Sequence, residues 1–186
     1  MRIIAGKHKG RTINLPKWFH QRPTTDFAKE ALFSILDNWY YFDQIRVLDL
    51  FSGSGSISYE FASRGTKDIT IVEKNPKYAD FIRKQTGELF GDEVFFGIIK
   101  ADAFEFVQSR KLDYDVIFAD PPYKLEEVSK LPDLIFDNPT FPEESVFILE
   151  HSQNHNFEAH PYFFDHRKYG NVHFSFFSKE ESQKNK

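Results

Sequence analysis

Short apolar runs alternate with amphipathic stretches along the chain from Arg46 onward. Short apolar runs between turn residues are typical of buried strands, and apolar residues three or four positions apart are typical of helices. The alternation predicts a parallel, doubly wound α/β sheet. The predicted strands are Val47–Phe51, Ile69–Val72, Val94–Ile99, Asp115–Ala119 and Ser145–Leu149, and the predicted helices are Ile57–Ser63, Asn75–Leu89, Phe104–Arg110 and a stretch near Glu126.

The two ends of the chain follow other patterns. Arg2–Ala5 and Thr12–Leu15 predict two short strands around a Gly-Lys-His-Lys-Gly turn, and Thr25–Leu36 carries the apolar stripe of a helix. Near the other end, Phe163–Phe177 holds two aromatic runs on either side of Gly-Asn, a pattern that predicts a β-hairpin. The parallel core is therefore expected to carry an N-terminal hairpin and helix and a C-terminal antiparallel hairpin.

Composition places this architecture in one domain. The 186 residues are 40% hydrophobic and 28% charged, an ordinary globular balance, so residues 26–178 are expected to form one core, with a 1–25 arm and a polar 179–186 tail. No apolar run is long enough to span a membrane, the N-terminal segment is too polar for a secretory signal, and cysteine is absent. We expect a cytoplasmic protein with no membrane association, disulfide or metal site.

The charge is distributed unevenly along the chain. The net charge is −4, yet the 1–25 arm contains no Asp or Glu. Its cations are Arg2, Lys7, Lys9, Arg11, Lys17 and Arg22. A basic arm on an acidic body favours contact with phosphate groups on one side of the protein, although a solvated surface hairpin has the same composition.

The tetrapeptide Asp120-Pro121-Pro122-Tyr123 follows a predicted buried strand. Consecutive prolines prevent a helix from starting there, and they lack the N–H groups that would occupy nearby carbonyls. A carboxylate, free carbonyl oxygens and an aromatic ring are therefore expected to lie together. Such a group suits an exocyclic amine on a nucleobase, with acceptors for the two N–H bonds and a face for the ring.

Three further acidic residues lie where predicted parallel strands end. Asp49 precedes the glycine loop Phe51-Ser52-Gly53-Ser54-Gly55, Glu73 follows the second strand, and Asp102 follows the third. Ligands of doubly wound sheets bind at this edge, and a carboxylate about 20 residues beyond a glycine loop can accept hydrogen bonds from ribose hydroxyls. The loop lacks the third glycine of a dinucleotide site. The pattern therefore favours a nucleoside ligand without a pyrophosphate, and S-adenosylmethionine (SAM) fits.

The glycine loop, the strand-end acids and the Asp-Pro-Pro-Tyr tetrapeptide resemble the motifs of class I SAM-dependent amino-methyltransferases. More narrowly, Met1–Arg11, the segment Arg22–Asp26 and the Lys29–Phe33 run resemble the bacterial RsmD family, as does Tyr169-Gly170 before the last strand. The resemblance spans nearly the whole chain, to about Phe177. It implies a Rossmann-like, mostly parallel seven-stranded sheet and transfer of a methyl group to N2 of a guanine in small-subunit (16S) ribosomal RNA.

The resemblance also implies roles for individual residues. Asp120, Pro121, Pro122 and Tyr123 would form the catalytic group that holds the guanine amine and stacks on the base. SAM would be held by Asp49, Phe51, Gly53, Ser54, Gly55, Glu73, Lys74, Asp102 and Ala103. RNA contacts would come from Arg2, Lys7, Lys9, Arg11, Arg22, Thr24 and Thr25. The expected partner is ribosomal RNA within an assembled or assembling small subunit, bound by a monomer.

The chain departs from the family pattern at Phe27-Ala28, where many members have Arg-Val. Alternative functions are also compatible with the motifs. The same tetrapeptide occurs in amino-methyltransferases that act on DNA adenine, and related glutamine methyltransferases normally begin it with Asn. A non-catalytic RNA-binding or ribosome assembly protein could also retain this fold.

Overall fold

A computed structural model of the chain describes residues 1–20 and 24–180, so that Arg22 and most of the predicted polar tail lie outside the described residues. The strands form one seven-stranded sheet in the order β3-β2-β1-β4-β5-β7-β6. They are β1 (Arg46–Leu50), β2 (Asp68–Val72), β3 (Phe95–Ile99), β4 (Val116–Ala119), β5 (Val146–His151), β6 (Phe163–Tyr169) and β7 (Val172–Phe177). Strands β1 to β5 are parallel, and β7 is antiparallel to both β5 and β6. The predicted parallel sheet with a C-terminal antiparallel hairpin is confirmed.

Five α-helices accompany the sheet in the described part of the chain: α1 (Asp26–Leu36), α2 (Ser56–Arg64), α3 (Pro76–Phe90), α4 (Ala103–Ser109) and α5 (Leu131–Phe136). Short 3-10 helices cover Phe42–Gln44 and Glu126–Lys130. Side-chain caps begin three of these α-helices, because the Thr25, Asn75 and Asp102 side chains accept hydrogen bonds from backbone N–H groups of the first turns. None of the described helices has both the length and the apolar composition needed to cross a bilayer.

The helices cover both faces of the sheet. Buried side chains of α1, α2 and α3 pack with Val47 and Ile69 on one face, and those of α4 and α5 pack with Leu48 and Leu50 on the other. Successive residues of β1 therefore point into opposite apolar layers, as a strand buried on both faces requires. This packing fixes the carboxyl ends of the parallel strands as one rigid edge.

Residues 1–13 form a turn that docks on α2, and we call this segment the N-terminal hairpin. The prediction of two strands here is wrong in extent, because the ladder consists of an isolated antiparallel bridge between Arg2 and Thr12. The next backbone donors are instead used by α2: the N–H groups of Ile4 and Ala5 donate to the Glu60 carboxylate at 2.8 and 3.0 Å. Backbone hydrogen bonds from Ile3 N–H to the Arg11 carbonyl and from Ile13 N–H to the Met1 carbonyl still join the two segments, and the Glu60 side chain adds a contact that the local pattern did not indicate.

Lys29 connects the N-terminal hairpin to the start of α2. Its side chain is buried, and its ammonium group donates to the Arg2 carbonyl at 2.6 Å and to Ser56 Oγ at 3.1 Å. The Glu60 carboxylate lies 3.9 Å away, and burial lowers the Lys29 pKa. Because Ser56 is the first residue of α2, one buried cation holds both the hairpin and the end of the glycine loop that precedes this helix.

Docking of the N-terminal hairpin depends on Gly6. This glycine has a φ of +78°, and a Cβ atom there would lie 1.8 Å from the Ser63 carbonyl oxygen. We expect Gly6→Ala to lower the free energy of unfolding by at least about 2 kcal/mol more than Gly10→Ala does, because the backbone of α2 must separate from the hairpin. Urea denaturation of the two variants measures the difference.

Gly10 is the matched control for this prediction. Its φ is +83°, but a Cβ atom there would meet nothing within 4 Å. Both substitutions therefore strain the backbone to a similar degree, and only Gly6→Ala adds a collision. Equal losses of stability in the two variants would contradict the docking described above.

Candidate active site

Four acidic residues lie at the carboxyl edge of the parallel strands. Asp49 lies within β1, Glu73 follows β2, Asp120 follows β4, and Glu150 lies near the end of β5. Ala119 and Leu149 are partners in the parallel register of β4 and β5, so Asp120 and Glu150 follow them side by side on neighbouring strands. The sheet thus brings together residues that are far apart in the sequence.

The glycine loop between β1 and α2 has an unusual backbone. Phe51 has a φ of +58°, the only positive value at a non-glycine residue in the described part of the chain, and Gly53 and Gly55 have values of +56° and +80°. Such strain at a bulky residue costs on the order of 1–3 kcal/mol and is often found at ligand sites. At Gly55, a Cβ atom would lie 2.6 Å from the buried Tyr59 ring. The loop therefore requires glycine here to lie close against α2.

Buried carboxylates hold the loop in place. The Asp49 carboxylate accepts hydrogen bonds from Ser52 Oγ at 2.7 Å and Ser58 Oγ at 2.6 Å. The Glu73 carboxylate accepts from the backbone N–H of Gly53 at 2.8 Å and of Asn75 at 2.7 Å. Glu73 therefore braces the glycine loop against the start of α3, in addition to facing the space where a ligand would lie.

A cavity of about 650 Å³ opens between the glycine loop, the tetrapeptide and the β6–β7 turn, and we call it the carboxylate cavity. Asp49, Asp120 and Glu150 line it, and none of the other described lining residues is Lys or Arg. Aromatic side chains form much of the remaining wall: Phe19, Phe27, Phe51, Phe118, Tyr123 and Tyr169. The cavity is thus acidic in its interior and aromatic at its walls, which suits a cationic or amine-bearing ligand with a flat ring.

The acidic groups of the carboxylate cavity are shifted toward their protonated forms. Burial raises the pKa of Asp49 to about 6, and raises the pKa of Glu150 to about 7 against the opposing hydrogen bonds from Thr24 and Tyr123. Desolvation, followed by the charges of Glu150 and Asp49, raises the Asp120 pKa well above its ordinary value. Two carboxylates that share a site cannot easily both ionise, so the Asp120–Glu150 pair retains a proton more readily than either group would alone.

The tetrapeptide presents unused acceptors to the carboxylate cavity. Within the described part of the chain, no donor hydrogen-bonds the Asp120 carboxylate or the Pro121 carbonyl, whereas the Pro122 carbonyl accepts from the Leu125 N–H at 2.9 Å. The Tyr123 side chain is 50% exposed, and its hydroxyl lies 3.5 Å from Glu150 Oε1. The predicted combination of a carboxylate, a free carbonyl and an aromatic ring is therefore present in the cavity wall.

A second cavity, of about 910 Å³, lies beside the ends of β2 and β3, and we call it the β2–β3 cavity. Glu73, Lys74, Asp102 and Ala103 line it. Asp102 has two further contacts, since its carboxylate caps α4 and pairs with the Lys74 ammonium at 3.0 Å. The two cavities share Phe51 and Pro122 in their walls, so an elongated ligand could extend from one into the other.

The structure separates the predicted RNA-binding residues into two groups. Thr24 and Thr25 line the carboxylate cavity, where Thr24 Oγ1 donates to Glu150 and Thr25 caps α1. The hairpin cations are absent from the described walls of both cavities, and Arg2 and Lys7 form exposed ion pairs with Asp26 and Glu93. Arg22 lies outside the described residues.

Sequence reasoning missed Glu150. The strand predicted over Ser145–Leu149 stopped one residue before it, whereas β5 runs from Val146 to His151 and Glu150 is buried within that strand. A single acidic residue after an apolar strand was the available signal, and it is the same signal that identified Glu73 and Asp120. Among the described residues no group of His, Asp or Glu is arranged to hold a metal ion.

Comparisons with known proteins identify the family and the fold of the chain. The family described as Conserved hypothetical protein 95, the RsmD family, matches residues 1–178. Ribosomal RNA small subunit methyltransferase D of Buchnera aphidicola subsp. Baizongia pistaciae is 30% identical, with 84% of this chain and 78% of that protein covered. The Escherichia coli protein of the same name is 27% identical, with 81% and 74% covered.

Solved structures share the fold at lower sequence identity. The structure of Escherichia coli yhhF has a TM-score of 0.80 at 24% identity, with 95% of this chain and 96% of that one covered. The Thermus thermophilus 16S rRNA N2 G1207 methyltransferase RsmC, solved with AdoMet and guanosine, has a TM-score of 0.65 at 17% identity, with 84% of this chain and 44% of that one covered. The chain therefore belongs to the RsmD family and has the Rossmann-like fold of class I methyltransferases.

Proposed function

We propose that this protein transfers a methyl group from SAM to the exocyclic N2 amine of a guanine in small-subunit ribosomal RNA. The observation that carries the proposal is the junction of two cavities at Phe51 and Pro122, with the unused acceptors of Asp120 and Pro121 on one side of it. The names of the relatives point to the same RNA, since several are small-subunit rRNA methyltransferases.

The residues around the junction fit SAM chemically. SAM supplies an activated methyl group on a sulfonium, and its methionine part carries an ammonium group as well. Buried carboxylates without a neighbouring Lys or Arg favour such cations, and the Gly53–Gly55 loop lets backbone approach the ligand closely. Asp49 and the glycine loop would hold the methionine part, Glu73 and Lys74 the ribose, and Asp102 and Ala103 the adenine.

The tetrapeptide explains how an aromatic amine can react. The lone pair of the guanine N2 is delocalised into the ring, which makes the amine a poor nucleophile. Asp120 and the Pro121 carbonyl accept its two N–H bonds and favour the pyramidal nitrogen of the transition state, where positive charge develops. Tyr123 stacks on the base and contributes roughly 1–3 kcal/mol to its binding. The proton that leaves the methylated nitrogen can pass to Asp120 or to water.

The target guanine must leave its stack to reach these acceptors, because they lie within a cavity wall. A nucleotide in a loop or a single strand is displaced at the least cost, so such a site in the ribosomal RNA is favoured. Basic residues of the N-terminal hairpin would hold the surrounding phosphates. Lys9 and Arg11 are both exposed and form no ion pair with any residue that the structure describes.

Neutralising these two cations tests the RNA contact. We expect Lys9→Gln with Arg11→Gln to weaken RNA binding about tenfold and to reduce the dependence of log K on log salt by about 1–2, since each lost phosphate contact removes roughly 0.7–0.9 from that slope. Filter binding or fluorescence anisotropy at several salt concentrations measures both quantities. The matched control is Arg110→Gln with Lys111→Gln, an equal charge change on exposed residues between α4 and β4, outside the N-terminal hairpin. An equal effect of the two double variants would show that net charge, rather than the hairpin, is responsible.

The proposed reaction is tested with small ribosomal subunits from cells that lack this gene. The protein is incubated with these subunits and isotopically labelled SAM, and the RNA is digested and its nucleosides identified. We expect the label in N2-methylguanosine. Label in another nucleoside would show that the protein is a methyltransferase but that its target is not guanine. Absence of label despite SAM binding would favour DNA, protein or a non-catalytic role, and would contradict the proposal.

A further inference from the structure

Glu150 is a buried acid that the proposed transfer step does not require. Its side chain lies in the wall of the carboxylate cavity, and the residue is 2% exposed. Thr24 Oγ1 donates to Oε2 at 2.9 Å, and the Tyr123 hydroxyl lies 3.5 Å from Oε1. Each carboxylate oxygen thus has one neutral hydroxyl partner, and none of the described residues offers it a cation.

The buried position of the Glu150 carboxylate lowers the stability of the folded protein when no ligand is bound. Burial of a carboxylate without a cation is costly, and two hydroxyl donors compensate for only part of that cost. Asp120, which follows β4, is acidic as well, so each charge raises the energetic cost of ionising the other group. A site that combines two costly carboxylates is best explained by a ligand that supplies several hydrogen-bond donors to both.

Guanine has the required arrangement of donors. Its N1–H and its N2 amine lie next to each other on one edge, so the base presents adjacent donors to adjacent acceptors. Adenine and cytosine place an unprotonated ring nitrogen beside the amine, and that acceptor would face a carboxylate. The parallel register of Ala119 with Leu149 sets Asp120 and Glu150 side by side in the same way.

We propose that the Glu150 carboxylate accepts the N1–H of the target guanine while Asp120 and the Pro121 carbonyl hold its N2 amine, so that Glu150 determines which base is methylated. The inference rests on the proposed function. Thr24 is a positioning residue in this arrangement, because its hydroxyl orients the Glu150 carboxylate toward the base, and the Tyr123 hydroxyl contributes to the same orientation while its ring stacks on the base. The Asp-Pro-Pro-Tyr tetrapeptide is then responsible for the amine chemistry, and Glu150 for the choice of guanine.

The N1 position of the target provides a direct test. Small-subunit RNA is ligated so that the mapped target carries guanine or 1-methylguanine, assembled into subunits, and methylated by the wild-type protein and by Glu150→Ala. We expect 1-methylation to reduce kcat/KM at least 100-fold for the wild type, because it removes the donor and adds a methyl group beside Glu150. Glu150→Ala should methylate the guanine substrate with a kcat/KM about 10- to 100-fold lower than that of the wild type. In this variant, 1-methylation of the target should reduce kcat/KM by less than about threefold.

Glu144→Ala is the matched control, since this exposed acid precedes β5 at the end opposite to Glu150. In Glu144→Ala, 1-methylation of the target guanine should reduce kcat/KM as much as it does in the wild type. If 1-methylation reduced kcat/KM in Glu150→Ala as much as it does in the wild type, the proposal would be overturned. Since the wild-type protein is measured on unmodified guanine in the same experiment, a failure of the proposed function would be seen separately, as no transfer to that substrate.

A second variant covers the case in which the Ala variant does not fold. The Gln side chain has the same shape as Glu, but its amide can donate to the ring nitrogen of adenine. We expect Glu150→Gln to reduce the preference for guanine over adenine at the target at least tenfold, measured by the identity of the labelled nucleoside on subunits with each base. Thermal melting and SAM binding establish that the variant is folded, and an unchanged preference would contradict the assignment.

Discussion

Asp120→Ala is expected to reduce methyl transfer at least a thousandfold while the affinity for SAM changes less than threefold. Removal of one charge-stabilising group from an active site typically costs a factor of 100 to 1,000, and here the lost carboxylate would be both a hydrogen-bond acceptor for the amine and a negative charge beside the nitrogen that becomes positive. SAM binding should persist because its proposed contacts lie on the glycine loop and in the β2–β3 cavity. Single-turnover transfer to small subunits and calorimetric titration with SAM measure the two quantities.

A graded series makes this prediction specific. Asp120→Asn retains an acceptor oxygen without the charge, so its rate should lie between those of the wild type and Asp120→Ala. Asp92→Asn is the control, since Asp92 is exposed and lies outside both cavities. A transfer rate within tenfold of the wild type in Asp120→Ala would remove Asp120 from the chemistry and leave the family resemblance without its catalytic basis.

The unliganded protein is expected to lose stability through Glu150 as the pH rises. The pKa of this group is raised from 4.5 to about 7 in the folded state, so the folded protein holds the proton more tightly than the unfolded chain does. The contribution of the protonated group is therefore complete below about pH 4.5 and is lost as the pH rises to about 7 and beyond. Because Glu150 titrates together with Asp120, whose pKa is raised as well, this loss of stability belongs to the pair and is on the order of a few kcal/mol. Asp49, with a pKa of about 6, acts in the same direction at lower pH.

Glu150→Gln isolates this effect from the histidines. Burial lowers the pKa of His151 to about 4, so His151 makes stability rise with pH between about 4 and 6.5 and opposes the carboxylates. The pKa values of His8, His160 and His173 are lowered as well, in the same direction as that of His151. The difference in unfolding free energy between wild type and Glu150→Gln removes these shared contributions, and it should grow in favour of the variant from pH 5 to pH 8.

Urea denaturation at each pH, without ligand, measures that difference. We expect the variant to be more stable than the wild type at pH 8 by about 2–3 kcal/mol, with a melting temperature several degrees higher. A variant that is less stable than the wild type at pH 8 would contradict the description of Glu150 as a buried, uncompensated charge. A stabilising substitution that impairs base selection would identify the acid as a residue retained for function.

The residues of the candidate site could be predicted from sequence where strand ends alone position them. Asp49, Glu73 and Asp120 lie at the carboxyl edge because buried parallel strands must end there, and this requires only the order of the elements. Glu150 obeys the same rule, but the predicted strand stopped at Leu149, and boundaries are the least certain part of a pattern-based prediction.

Contacts between distant segments could not be read from the sequence. Local pattern suggested strands on either side of Gly6–Gly10, whereas Glu60 takes the N–H groups of Ile4 and Ala5. The Lys7–Glu93 ion pair joins two widely separated parts of the chain, so part of the apparent basic excess of the N-terminal arm is neutralised by the body of the protein. Neither contact follows from periodicity or composition, because each depends on tertiary packing.

Docking of the N-terminal hairpin on α2 has a consequence for dissecting the protein. A truncated protein that begins at α1 would leave the Lys29 ammonium and the Glu60 carboxylate without their backbone partners in the hairpin, and would uncover the apolar surface now covered by Ile3 and Ile13. Truncation would therefore disturb the helix that follows the glycine loop, and a loss of activity would carry no information about RNA contact. The N-terminal hairpin is an integral layer of the protein rather than an exchangeable module, and its proposed role in RNA recognition is separable only by changing charges on its exposed face.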